Sequence, residues 1–405
     1  MSAIGGIADL KNKNVDFSEL DKMRLVMSMR GRRRSSAYIG KDVDVFYNSS
    51  QPDAFEESED RQPAIFERGG QTYVVCHDSD RLLSSAVFEN YRLYGIDILG
   101  TLGGAFSLAI FDGERKMLLL ARDKRGAKPL FYRVYDGRIY FSSEIKGIVE
   151  AIGGRTLVSR EMLSLHLTAP MGVYRATNLL PEICEVLAGE CVIFTELGMS
   201  RFRYREHSAG VRARPKSSKS VAEEILMPYP ISEPSEIDEV LSEALIAFDY
   251  PQFDSYMPSF CKMLASARRK GRYAIRFEDA TRAKSSSYAY ERQDRLGNLF
   301  GLCAVGIPTR AYDARTEELD IMREHLRELF FSLDSAGLSF LRGVLGERRL
   351  EYLMQRFECE SKKEDTDATV RILGMLYQCV MWAQSRELLI KSTCDEAIQS
   401  ALSMM

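Results

Sequence analysis

No apolar run in these 405 residues is long enough to cross a bilayer. The first residues show no basic segment leading into an apolar core, so neither a membrane span nor a signal peptide is expected. Strong net charge is also missing. At −3 overall, the chain offers no electrostatic case for nucleic acid or for an anionic membrane surface. Eight cysteines, at positions 76, 184, 191, 261, 303, 359, 379 and 394, form no Cys-x-x-Cys pair, so no zinc site, redox motif or other metal site is expected. In a large chain with no export segment they read as free thiols of a cytoplasmic protein. Internal repeats and low-complexity tracts are absent as well.

What is present is ordinary globular composition, 45% hydrophobic and 28% charged, in a chain long enough for two or three domains. Short apolar runs dominate up to about residue 206. Phe106–Phe111 and Met117–Ala121 are apolar on both faces and flank Asp112-Gly113, a hairpin signal. Asp136-Gly137 repeats the device between Leu130–Tyr135 and Arg138–Ser142. Further strands are expected over Met1–Asp9, starting at the terminus itself, and at Val43–Tyr47, Ala64–Glu67, Thr72–Cys76, Leu179–Pro181, Leu187–Phe194 and Phe202–Tyr204. Helices are expected at Phe17–Met29, Leu83–Tyr94 and Ser159–Leu167. Strands apolar on both faces must be covered on both sides, which predicts a sandwich or layered sheet.

Residues 207–220 turn to Ser, Arg, Lys and Gly with Pro215 and read as a linker. Beyond it, helical periodicity runs through Ala222–Leu226, Ile237–Ala247, Phe260–Lys270, Thr316–Leu329, Leu338–Phe357 and Thr369–Leu388, with one strand at Tyr273–Phe277. The expected division is therefore 1–206, a linker at 207–220, and a mainly helical part at 221–405.

Candidate chemistry sits at few positions. Removal of Met1 would leave Ser2 with a free α-amine beside its hydroxyl, the arrangement of an N-terminal nucleophile. Arg30–Arg34 reads either as a solvated face or as an anion-binding loop. His77-Asp78-Ser79-Asp80 closes a buried strand, a place that suits either a site or a simple turn. His77, His166 and His325 read as structural groups, and the aromatic clusters at Tyr250–Asp254 and Tyr288–Tyr290 as packing.

The series Leu102-Gly103-Gly104-Ala105-Phe106, Arg122-Asp123 through Lys128-Pro129-Leu130-Phe131-Tyr132, and Phe141-Ser142-Ser143-Glu144-Ile145-Lys146 resembles the glutaminase domain of glutamine-hydrolysing asparagine synthetases. Ile4-Gly5-Gly6, Arg30-Gly31 and Arg61-Gln62-Pro63 extend the likeness. Gly271–Asp279, Ile307–Tyr312, Asp334-Ser335 and Gln378–Trp382 carry it more faintly into the second half. The resemblance implies an α+β protein: an N-terminal αββα sandwich of the N-terminal-nucleophile-hydrolase kind, then a helical remnant of the synthetase domain.

The departures from that family fall on its chemistry. Its nucleophilic cysteine is Ser2 here, and no arginine stands at Asn48 or Ser49 to hold a glutamine carboxylate. Its Asn-Gly oxyanion pair aligns with Asp78-Ser79, and its amine-holding acid with Leu83. Arg30, Gly31 and Asp80 remain as candidate substrate-binding positions. The Ser-Gly-Gly-x-Asp-Ser loop that such enzymes use for ATP and Mg²⁺ is absent, so no cofactor is expected. These departures imply a relative that has lost both glutaminase and synthetase chemistry. It would act as a binding, regulatory or structural subunit, with a protein partner or a second copy, and with a small amide or amino acid as possible ligand. Two alternatives stay open: an amidohydrolase using Ser2, and one chain of a heteromeric amide-forming enzyme.

Overall fold

The computed structural model of the protein describes residues 2–11, 17–31, 34–49, 62–79, 81–154, 156–168, 179–204, 231–251, 253, 257–258, 261–262, 265, 274–276, 303–305, 316–358, 366–385 and 388–391. The expected elements at Ala222–Leu226 and most of Phe260–Lys270, the 207–220 linker, Tyr288–Tyr290 and Asp80 lie outside these residues.

The strands are β1 (Ala3–Ala8), β2 (Arg34–Ile39), β3 (Val43–Ser49), β4 (Ala64–Arg68), β5 (Gln71–Ser79), β6 (Phe106–Asp112), β7 (Met117–Arg122), β8 (Phe131–Tyr135), β9 (Arg138–Ser142), β10 (Thr156–Ser159), β11 (Cys184–Glu185), β12 (Glu190–Thr195), β13 (Gly198–Arg203), β14 (Ala274–Arg276), β15 (Cys303–Val305) and β16 (Leu388–Lys391). The helices are α1 (Phe17–Val26), α2 (Ser84–Tyr94), α3 (Ile145–Ala151), α4 (Arg160–Thr168), α5 (Ser235–Ala247), α6 (Thr316–Phe331), α7 (Ser335–Leu345), α8 (Glu347–Glu358) and α9 (Thr366–Gln384).

Two compact units result. The described residues of the first lie within Met1–Gly153 and Ile183–Glu223. It holds two six-stranded antiparallel sheets, in the orders β11-β8-β9-β1-β3-β2 and β13-β12-β7-β6-β5-β4. Side-chain alternation along a strand explains the layering. Ile4, Ala8, Val43, Val45, Val74, Cys76, Ala109, Phe111, Leu118 and Leu120 point between the sheets into one buried cluster. The alternate residues Tyr73, Val75, Leu108, Ile110 and Leu119 point outward into a second cluster with Val87, Phe88 and Tyr91 of α2. Helices α1 and α3 pack together over the outer face of the first sheet. The expected four-layer sandwich of helix, sheet, sheet and helix is therefore the observed one.

Some local expectations change. Leu179–Pro181 is not a strand, and the short pairing falls at Cys184–Glu185, against Tyr132 and Phe131. Arg34 opens β2, where a charged loop was expected. Its residues lie at the edge of the first sheet, where small or apolar Ser35, Ala37 and Ile39 are exposed and Ser36 and Tyr38 half-buried, so the polar-out, apolar-in alternation that reveals a strand is missing.

The second unit contains the described residues of Gly154–Glu182 and those from residue 231 onward. Helices α6 and α9 pack against each other, and α4 meets α7 and α9. Strand β10 pairs in parallel with β16. By contacts, then, β10 and α4 group with the helical unit, although they precede residue 206 in sequence. The single helix expected over Leu338–Phe357 is two, because Gly346 adopts φ +83°, a left-handed conformation that ends α7. Tyr250 and Phe253 are buried, as packing residues should be.

Candidate functional site

The first strand begins one residue after Ser2, and its neighbours fix where Ser2 lies. Ser143 clips the start of β1 from both sides: its hydroxyl accepts from the Ile4 amide at 3.0 Å, and its amide donates to the Ile4 carbonyl at 2.9 Å. Ser2 itself is buried, at 6% exposure. The Tyr47 hydroxyl donates to Ser2 Oγ at 3.0 Å. Burial pushes the Tyr47 phenol above its usual value, and the negative charge of Asp78 adds to this, against hydrogen bonds with Ser2 and Ser49. Tyr47 is thus a protonated donor at neutral pH and no base for Ser2.

Arg30 is the hub. It is fully buried at the end of the turn after α1. Its Nε donates to the Ser2 carbonyl at 2.8 Å, one terminal nitrogen meets Glu144 at 3.2 Å, and the other lies 3.6 Å from Asp78. The anion-binding reading of Arg30–Arg34 is therefore corrected at Arg30, which points inward onto two carboxylates of its own chain. Gly31 follows at φ +95°, and a Cβ there would collide with the Asn48 carbonyl. Arg30 can enter the interior because the next residue has no side chain.

Asp78 and Ser79 belong to β5, which runs further than expected and pairs them with Ser107 and Phe106. The Asp78 carboxylate is held by Lys128 Nζ at 3.1 Å as well as by Arg30. Lys128 is placed by Asp123, whose carboxylate accepts the backbone amides of Phe106, Arg125, Ala127 and Lys128 at 2.9–3.3 Å. Glu144, preceding α3, also meets Lys146 at 2.9 Å. Ser2, Tyr47, Arg30, Asp78, Lys128, Glu144 and Lys146 thus form one buried polar cluster.

The other predicted positions lie apart or are spent. Asn48 faces the helix layer, accepting from the Ser35 hydroxyl at 2.7 Å and donating to the Arg24 carbonyl. Leu83 is 57% exposed at the start of α2. His77 faces α2, with its backbone amide on Gln62 and its ring beside Gln62 and Ser84. His166 and His325 bond to the Pro251 carbonyl and to Asp238. Cys76 is no substitute nucleophile, since burial and then Asp78 push its thiol far above the usual range. Sequence reasoning passed over Tyr47, Lys128 and Lys146 as site residues. Lys128 and Lys146 stood inside the quoted motifs, but nothing local marks Tyr47.

Among the described residues no group of three His, Cys, Asp or Glu side chains could hold a metal ion. Nor, among the described residues, is any helix long and apolar enough to cross a membrane.

Two six-stranded antiparallel sheets between helical layers make an αββα sandwich. A family model described as a glutamine amidotransferase domain matches residues 66–205. Asparagine synthetase [glutamine-hydrolyzing] 3 of Bacillus subtilis is 28% identical over 185 residues, 45% of this chain and 28% of that protein. A putative asparagine synthetase [glutamine-hydrolyzing] 2 of Methanocaldococcus jannaschii is 28% identical over 42% of this chain and 35% of its own. The matches thus span about a third or less of these relatives' lengths. A solved glutamine phosphoribosylpyrophosphate amidotransferase from B. subtilis aligns with 78% of this chain and 68% of its own, at 12% identity and a TM-score of 0.34. Residues 66–205 thus resemble glutamine amidotransferase domains, and the chain is similar over part of its length to glutamine-hydrolysing asparagine synthetases.

Proposed function

We propose that this protein keeps the glutamine amidotransferase fold without glutamine hydrolysis and works by binding, as a regulatory or structural subunit. The observation that carries the reading is Asp78, held by Lys128 and Arg30 beside the buried Ser2. A negative side chain there opposes a developing oxyanion, where an acyl-transfer site needs donors. Ser2 adds a weaker nucleophile than a thiol, and the Tyr47 hydroxyl on its Oγ is a donor, not a base. Asn48 and Leu83 supply no charge to grip an amino acid's carboxylate or amine.

With no Ser-Gly-Gly-x-Asp-Ser loop, ATP and Mg²⁺ have no part in this reading. The fitting partner is another protein or a second copy of the chain, with a small amide or amino acid as a secondary ligand. Cys76, Cys184, Cys191, Cys261 and Cys379 are free thiols, which fits a cytoplasmic setting.

The test is an ammonia-release assay on purified protein with glutamine, together with thermal melts with and without ATP and Mg²⁺. No ammonia and an unchanged melting temperature are expected. Turnover of glutamine overturns the reading. The ordered Ser2 hydroxyl favours one alternative, an amidohydrolase acting on a different amide. Intact mass decides whether its precondition holds, because a retained Met1 blocks the Ser2 amine and excludes it. If Met1 is removed, Ser2→Ala must abolish any amidase activity found.

A further inference from the structure

The inner face of the second sheet carries a row of polar residues at one end of its apolar core. Asp78 on β5 stands directly opposite Ser107 on β6, and Ser107 directly opposite Arg122 on β7. Directly opposed residues project to the same face of a sheet. That face is the one between the sheets, since Cys76, Ala109 and Leu120, two residues earlier on β5, two later on β6 and two earlier on β7, all lie in the inter-sheet cluster.

Each member of the row is more than nine-tenths buried. Each also keeps one polar atom with no hydrogen-bond partner among the described residues: Asp78 Oδ2, Ser107 Oγ and Arg122 Nε. The rest of Arg122 is engaged. Its terminal nitrogens donate to Glu185 at 2.5 Å, to the Val186 carbonyl at 3.1 Å and to the Gly126 carbonyl at 2.6 Å. Asp78 Oδ2 has the Arg30 guanidinium at 3.6 Å, an ion-pair distance beyond hydrogen-bond reach. Leaving a buried polar atom without a partner forfeits its hydration with nothing in return, so three in one row call for a common explanation.

The row presents an acceptor, a hydroxyl that both gives and takes, and an N–H donor. An anion would face the Asp78 carboxylate. A cation would face Arg122, Arg30 and Lys128. The complementary occupant is neutral and small, and it both donates and accepts. We propose that the row Asp78–Ser107–Arg122 is a buried hydration site, in which ordered water centred on Ser107 donates to Asp78 Oδ2 and accepts from Arg122 Nε. Water there lies between Arg30, Lys128 and Asp78 around Ser2 and the pair Arg122–Glu185 at the end of β7. The proposal does not depend on whether the protein hydrolyses glutamine.

A high-resolution crystal structure of the full chain tests it, with Ser107→Val as the companion variant. The expected result is a water peak at about 2.7–3.2 Å from Ser107 Oγ that also contacts Asp78 Oδ2 or Arg122 Nε. In Ser107→Val a methyl group takes the hydroxyl's place, and the contacting water should be lost with a fall of about 2–4 °C in melting temperature. A direct hydrogen bond among the three side chains overturns the proposal, as does a dry gap. Density for a larger organic molecule in the row overturns it too. An unchanged melting temperature in the valine variant counts against it even if a peak is seen.

Discussion

Arg30 serves three partners at once: the Ser2 carbonyl, Glu144 and Asp78. Removing one member of a buried ion-pair network leaves its partners charged and unmatched, at a cost of about 3–5 kcal/mol. Arg30→Met should therefore lower the unfolding free energy of the full chain by about that amount, read from denaturant unfolding. Asp44 sets a pH signature. Burial raises its carboxyl above the usual range, only partly offset by the hydrogen bond from the Gly40 amide. The folded state then holds the proton to higher pH than the unfolded state, so this group costs stability as pH rises through the folded value. Asp44→Asn should be more stable than the parent at pH 7 and lose that advantage as pH falls below the folded value. Matched thermal melts at pH 7 and in acid check both halves. Burial also pushes the thiol of Cys191 to about 12 and that of Cys379 further up. Native alkylation followed by peptide mass spectrometry should label the half-buried Cys184 before Cys76, Cys191 or Cys379. At this scale Ser2, Arg30 and Asp78 stood out in sequence by their chemistry. Tyr47 did not, since its role exists only because Asn48 and Tyr47 of β3 lie beside Ala3 and Ile4 of β1.

Among elements, the strands flanking Asp112-Gly113 and Asp136-Gly137 were legible because a two-sided apolar run and a turn signal are both local. Boundaries were less so. Strand β5 continues through Asp78 and Ser79 because β6 offers partners that far, a fact of register that polar residues do not announce. The α7–α8 break was signalled by Gly346 but hidden by continuous apolar spacing on both sides. Helix α7 starts with a side-chain cap: Asp334 Oδ1 accepts from the Gly337 amide at 2.7 Å. Asp334→Ala should cost about 1 kcal/mol, since a first-turn amide loses its acceptor. A modest drop in the helical unfolding transition, followed by circular dichroism, is the expected result, with Asp334→Asn close to the parent.

For the whole molecule, the composition shift at 207–220 suggested a cut that the contacts do not follow. Strand β10 and helix α4 pair with β16, α7 and α9. Val158, Leu163 and Leu167 are buried there. A fragment of residues 1–206 would leave that apolar surface uncovered. It should bind a hydrophobic dye such as anilinonaphthalene sulfonate far more than the full chain does. A fragment that melts cooperatively without binding the dye would speak against this division.

Sequence by itself determined the layered α+β sandwich and the helical second part, because side-chain alternation, helical periodicity and turn chemistry act over a few residues. It also determined the family likeness, through an ordered series of motifs. Only the tertiary structure decided where the candidate residues lie and what they touch. Ser2 meets Tyr47 across 45 positions and Arg30 meets Glu144 across 114, contacts that depend on strand order and on a glycine letting Arg30 turn inward. Folding brings Arg30, Asp78, Lys128 and Glu144 together as buried ion pairs, a juxtaposition no local sequence pattern carries.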